Sequence, residues 1–183
     1  MRGARRQLAI WTAVAALLVV VSLWLPGNVV YLLAGAAWGL GLAGFVARGR
    51  YGKARTLLSQ KQYEAAFDEL LAFEQQVRRD GWRRSLSFLY TGFHTNDPLA
   101  LARCYQGVVR LEQGRLVEAE ALLKSAVEQD PAYGLAWANR AIVAASMGDE
   151  ASARAHQTVA QQHGITGATL DRTIAAALAK TTK

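Results

Sequence analysis

Cysteine, histidine and proline are scarce in this chain of 183 residues, and each scarcity excludes something. Its single cysteine, Cys104, cannot close an intramolecular disulfide, and no Cys/His set has zinc-ligand spacing, so neither staple holds the fold. Three histidines (His94, His156 and His163) leave little for a metal centre or a catalytic triad. His156 and His163 stand two helical turns apart and read as solvated side chains. There is no Gly-x-Ser-x-Gly elbow, no phosphate-loop glycine run and no metal-spaced acidic cluster. Neither catalytic chemistry nor a cofactor is expected, and the chain reads as a non-enzyme. Prolines number three, and no alternation of apolar and polar residues is sustained, so the expected class is all-α.

Acidic residues are absent before Glu64, while the chain as a whole carries a net charge of +7. An excess of that size would ordinarily raise nucleic acid as a partner. Its distribution argues otherwise. Arg2, Arg5 and Arg6 supply three charges, and Arg48, Arg50, Lys53, Arg55 and Lys61 supply five, leaving residues 62–183 at −1. Two uncharged apolar stretches lie between those clusters, Leu8–Leu25 and Val29–Ala47, and 31 of their 37 residues are apolar. As a helix the first would reach ~27 Å, close to the hydrocarbon thickness of a bilayer. Pro26-Gly27-Asn28 is long enough only to reverse direction, so residues 1–47 are expected to form a transmembrane helical hairpin. A cleaved signal peptide is the rival, but Leu23-Trp24-Leu25 stands where a small-residue cleavage site would be, and a second apolar stretch follows. Basic residues flank both outer ends and none lies in the turn, which puts both termini on the cytoplasmic side of what is expected to be a bacterial inner membrane. Gly35, Gly39 and Ala43 fall on one small-residue stripe, fit for close packing against the first span or against another membrane subunit or copy.

Beyond the hairpin, residues 48–183 repeat themselves. A shift of 34 brings Leu101 onto Leu135, Val109 onto Val143, Gly114 onto Gly148, Ala119 onto Ala153 and Ala126 onto Ala160. Small residues at Gly107/Ala141, Ala119/Ala153 and Ala126/Ala160 suit close helix crossings, and Gly114 and Gly148 suit a helix stop with positive φ. Asp97-Pro98 and Asp130-Pro131 read as helix openings. The pattern resembles the tetratricopeptide repeat, a helix–turn–helix unit of that length. Gly107, Gly114, Leu116, Ala119, Leu123, Ala126 and Pro131 carry it in unit 99–131, and Trp137, Ala141, Gly148, Ala153 and Ala160 in unit 132–165. A degenerate unit is expected over 48–79, where Tyr63, Ala66 and Leu70 match Leu116, Ala119 and Leu123 at a shift of 53, with Lys61 replacing the turn glycine and Phe73 a small residue. Its first helix, about 48–60, should continue from the second apolar stretch. Leu170, Ile174 and Leu178, four apart, mark a capping helix over 166–180. The whole is therefore expected to be a short α-solenoid with a C-terminal cap.

An insertion over 80–98 carries Trp82, Leu86, Leu89 and Phe93 on one helical face beside Arg78, Arg79, Arg83 and Arg84. Packing on the array, lying on the membrane surface and binding a partner are three open readings. The resemblance implies a concave groove lined by the first helix of each pair, which here would comprise Leu101, Tyr105, Val108, Glu112, Leu135, Asn139 and Ile142. Mostly apolar, it would suit an amphipathic helix or extended apolar segment of a partner protein, unless the chain's own insertion or capping helix fills it. Two functions follow. One is a membrane-anchored interaction module, scaffold or adaptor; the other is an integral accessory or assembly subunit of a larger membrane complex, including self-association. The expected partners are a protein and the lipid bilayer, with no nucleic acid.

Overall fold

The computed structural model describes residues 27–81, 95 and 97–181. The chain divides into two compact units, Met1–Val46 and Ala47–Lys183. Every regular element among the described residues is helical: α1 (Gly27–Ser59), α2 (Tyr63–Arg79), α3 (Pro98–Glu112), α4 (Leu116–Gln129), α5 (Gly134–Ser146), α6 (Glu150–Gln162) and α7 (Ala168–Thr181). The apolar stretch 8–25 lies outside the described residues, as does nearly all of the insertion, Trp82, Arg83, Arg84, Leu86, Leu89 and Phe93 included. The stretch 29–47 is helical throughout and runs without a break into 48–59, as expected. Among the described residues no helix is long and apolar enough to cross a membrane, so the two-span hairpin rests on the sequence alone.

In the second unit, helices pair along the chain. The pairs α3–α4 and α5–α6 are the most intimate, α4 packs on α5, and α2 packs on α3. One turn recurs between pair members. Gly114 and Gly148 have φ of +73° and +81°, and Lys61 takes the same left-handed conformation at +59°. At each turn the residue after it donates its N–H back across the helix end: Gln62 to the Leu57 carbonyl, Arg115 to Arg110 and Asp149 to Ala144, all at 2.9 Å. This satisfies carbonyls that the ending helix would otherwise leave without partners. The three turns are spaced by 53 and 34 residues, the offsets read from the sequence. Lys61 thus occupies the place of a turn glycine despite its side chain.

Small residues stand where the paired helices cross. A methyl group at Gly107 would sit 2.6 Å from Leu123 Cγ and 3.3 Å from the Ala119 carbonyl, so only glycine fits there. Ala119, Ala126, Ala141, Ala153 and Ala160 are all fully buried. In α2, Ala66, Leu70, Phe73 and Val77 form the buried face, and Phe73 meets Tyr51 of α1 with ring centroids 5.9 Å apart. Where a small residue was expected, Phe73 thus fills the space beneath α1. The main core runs from Tyr51 through α2, α3 and α4 into α5. A smaller cluster, Ala141, Ala144, Ala145, Ala153 and Ile174, joins α5 and α6 to α7.

Helix starts divided the two Asp-Pro pairs. Asp97 caps α3 by accepting from the Leu99 N–H at 2.8 Å, with Pro98 at the first helical position. Asp130-Pro131 does not open α5, which begins at Gly134 after Tyr133. Instead Asp130 Oδ1 accepts from the Ala132 N–H at 3.1 Å and its carbonyl accepts from Tyr133, closing a turn around Pro131 before the helix starts. An Asx turn and an N-cap use the same side-chain oxygen, which is why the pair misled.

Candidate functional site

Packing separates the seven residues expected to line a groove. Val108 and Glu112 of α3 and Asn139 and Ile142 of α5 share the wall of one cleft of about 770 Å³. Leu101 does not, being 2 % exposed in the main core. Its place between Ala100 and Ala102, both buried, shows that the first turns of α3 are enclosed on nearly every side. Tyr105 is half-buried and stands edge-on to Tyr51, with centroids 5.2 Å apart, so α1 covers it. Leu135 packs on the same core. The open part of the groove is therefore its C-terminal half, where Val108, Leu111 and Glu112 emerge.

The third wall was not read from the sequence. Arg172, Thr173, Ala176 and Lys180 of α7 face α3 across the cleft. The four-residue spacing of Leu170, Ile174 and Leu178 correctly marked a packed face on this helix. What it could not give was the surface covered: α7 packs on α5 and leaves the cleft between itself and α3. Helix α7 thus takes up part of the α5 surface, while Asn139 and Ile142 still line the cleft. Charge is divided between the walls, with Glu112 on α3 opposite Arg172 and Lys180 on α7, and none of the three forms an ion pair among the described residues. Apolar surface from Val108, Leu111, Ile142 and Ala177 forms the floor.

Behind the cleft the polar groups are buried and inert. Asn139 Nδ2 donates to Cys104 Sγ at 3.6 Å. Burial pushes the Cys104 thiol up to about 11, against hydrogen bonds from Tyr133 and Asn139 that favour the thiolate. The Tyr133 hydroxyl is buried beside the Cys104 thiol, and burial drives its ionisation well above the ordinary phenol range. His94 lies outside the described residues. His156 is half-buried with its ring 5.4 Å from Trp137, and burial, then the nearby Arg140 charge, lower its pKa. His163 is exposed at the end of α6. None of these arrangements pairs a nucleophile with a base.

A polar network that sequence reasoning missed fixes α3 on α2. Glu74 of α2 is buried and accepts from Arg78 at 2.7 Å, Gln106 at 3.0 Å and Arg103 at 3.4 Å. Burial acts to raise its pKa, but the hydrogen bonds from Arg78 and Gln106 and the Arg103 charge outweigh it and hold Glu74 below the ordinary carboxylate value. One turn further along, Arg110 stacks over the Phe67 ring at 3.7 Å and pairs with Glu64 and Glu118. The sequence does carry a signal for it, polar residues at three- and four-residue spacing on α3 (Arg103, Gln106, Arg110), which the packing of α2 turns into a buried contact.

In α1, methyl groups at Gly35 and Gly39 would meet nothing within 4 Å among the described residues, and Trp38 between them is 80 % exposed. Ala43 is helical within α1. Compared with family models and with curated proteins, the chain matches none.

Proposed function

We propose that this protein is a membrane-anchored interaction module of the tetratricopeptide type, in which a cytoplasmic helical array recruits a partner protein. One observation carries the reading. The same left-handed turn, with the same backbone hydrogen bond, recurs at Lys61, Gly114 and Gly148 at the offsets of the sequence repeat. Helices related by that repeat, α3 and α5, turn equivalent surfaces toward one cleft. Helix pairs stacked in this way are interaction surfaces in general, because their inner helices present a concave strip that no neighbour covers. Here the strip is apolar at Val108, Leu111 and Ile142, which suits an amphipathic helix or an extended apolar segment. The anchor, residues 8–47 between basic clusters, confines that encounter to the inner face of a bilayer.

A photoreactive residue in place of the exposed Glu112, in the full chain in its native membrane, tests the reading. The expected result is a cross-link to a different protein that is lost on Val108→Arg while helical content is kept. Cross-links only to copies of the chain itself would overturn it. A second reading, an accessory subunit held in a larger complex through its membrane helices, is favoured by the unfilled surface at Gly35 and Gly39. In that case Gly35→Leu with Gly39→Leu would abolish co-purification, whereas an anchor would tolerate both.

A further inference from the structure

The helix α7 is a weakly held tenant of the groove. Its seat on α5 and α6 is built of alanines, Ala141, Ala144, Ala145 and Ala153, in a cluster separate from the main core. Ile174 is the one α7 side chain fully buried there, at 4 % exposure, with Leu170, Ala177 and Leu178 half-buried around it. A seat whose one large side chain is the half-buried Ile142 lets a helix approach closely, yet it offers little area to hold one.

Polar ties are few. Gln157 donates to Asp171 at 2.5 Å on the exposed surface. The side chains of Arg172, Thr173 and Thr181 instead bond to carbonyls of α7 itself. No ion pair joins α7 to another helix among the described residues. The connection to α6 contains two glycines in left-handed backbone, Gly164 at φ +82° and Gly167 at +143°. Its first part is clamped, since a methyl at Gly134 would sit 2.9 Å from the His163 carbonyl and from Ile165 Cγ1. Freedom therefore begins after Ile165, at Thr166 and Gly167, just before α7 starts.

We infer that α7 is a displaceable latch: it covers part of the α5 wall of the groove until a partner helix of the same kind, aliphatic residues four apart on an alanine-rich stretch, takes its seat. The partner's chemistry is read from the occupant already seated, because a surface shaped for Leu170, Ile174 and Leu178 fits another helix with that spacing. The open cleft beside α3 gives the incoming helix a first foothold on Val108 and Leu111 before α7 leaves. Because α7 is tethered, it competes at high effective concentration, so the partner gains access only by out-binding it. This inference rests on the groove being the partner-binding surface.

A lock can be built from one distance. Gly148 stands in left-handed backbone (φ +81°) that Lys61 shows a side chain can also adopt at the equivalent turn. A Cβ there would stand 3.8 Å from Thr181 Cβ, within the disulfide range, while Cys104 is buried and does not compete. The full chain in detergent micelles, carrying Ile174→Asp to loosen the latch together with Gly148→Cys and Thr181→Cys, is titrated with a fluorescein-labelled peptide of residues 166–181. The expected result is binding to the reduced protein, at least tenfold weaker binding after oxidation, and none by the peptide carrying Ile174→Asp. An unbound peptide with the reduced, still helical protein overturns the latch, as does equal affinity in both states. The lock pair alone, with Ile174 kept and a photoprobe at Glu112, separates the two readings in native membranes. A partner cross-linked equally before and after oxidation overturns the latch and leaves the groove standing; absence of any cross-link in either state removes the groove and the latch together.

Discussion

At the scale of single residues, two positions fix how α3 is held. Gly107 is where α3 and α4 touch, and Gly107→Ala forces Leu123 from its place. The expected cost is about 1–3 kcal/mol of stability, read as a lower denaturant midpoint. Glu74 is the acceptor at the centre of the α2–α3 contact, and removing it leaves Gln106, 2 % exposed, without an acceptor; Glu74→Ala should cost about 2 kcal/mol. The lowered pKa of Glu74 sets the sign of a pH effect. Folding favours its carboxylate, so the contribution is complete above the ordinary carboxylate range and is lost as pH falls through that range toward the lower folded value. Denaturation midpoints should therefore drop more steeply between pH 6 and pH 3 (roughly the span in which a carboxylate titrates) for the natural protein than for Glu74→Gln. Equal slopes would show that the network does not hold the charged form.

Among elements, the turns and the last helix behave differently. Lys61 holds a left-handed conformation that costs a residue with a Cβ about 1–2 kcal/mol, and its side chain is exposed. Lys61→Gly should thus raise stability by about 1 kcal/mol, partly offset by the greater freedom of glycine when unfolded, as measured by a shift in thermal midpoint. No change would mean that the turn is not strained. For α7, held by one buried isoleucine, backbone amides should exchange with solvent well before those of α3 and α5 when followed by mass spectrometry. The elements themselves were legible because helical periodicity and the 34-residue shift are local patterns. Gly114 and Gly148 announced their turns, and even Lys61 could be placed by register alone. What stayed hidden depended on who packs on whom. Leu101 and Tyr105 share a helix face with Val108, yet α1 and the neighbouring helices cover the first two and leave the third open. The Glu74 network and the α7 wall were invisible for the same reason, since a stripe of residues does not state what lies against it.

For the whole molecule, the distribution of charge is the strongest organising fact. The basic excess stands beside the apolar stretches 8–25 and 29–47, while residues 62–183 carry 13 basic against 14 acidic residues. Many of those acids are spent within the array, at Glu64, Glu69, Glu74, Glu118 and Glu120, each paired with an arginine or lysine. Glu69 joins this scheme to the basic cluster, accepting from Lys53 and from Arg50 at 3.1 Å; the Lys53 hydrogen bond is the main reason its pKa falls below the ordinary value. A reporter domain fused after Lys183 should be active in the cytoplasm and silent outside it; activity outside would reverse the proposed topology.

Cys104 turns that architecture into a clock. The only thiol in the chain, it is fully buried at the back of α3 and sits above the pH at which alkylating reagents find a thiolate. A maleimide can reach it only when α3 parts from its neighbours. The rate at which intact cells or membranes acquire a single label therefore counts openings of the core, and it does so without purification, mutation or any knowledge of the partner.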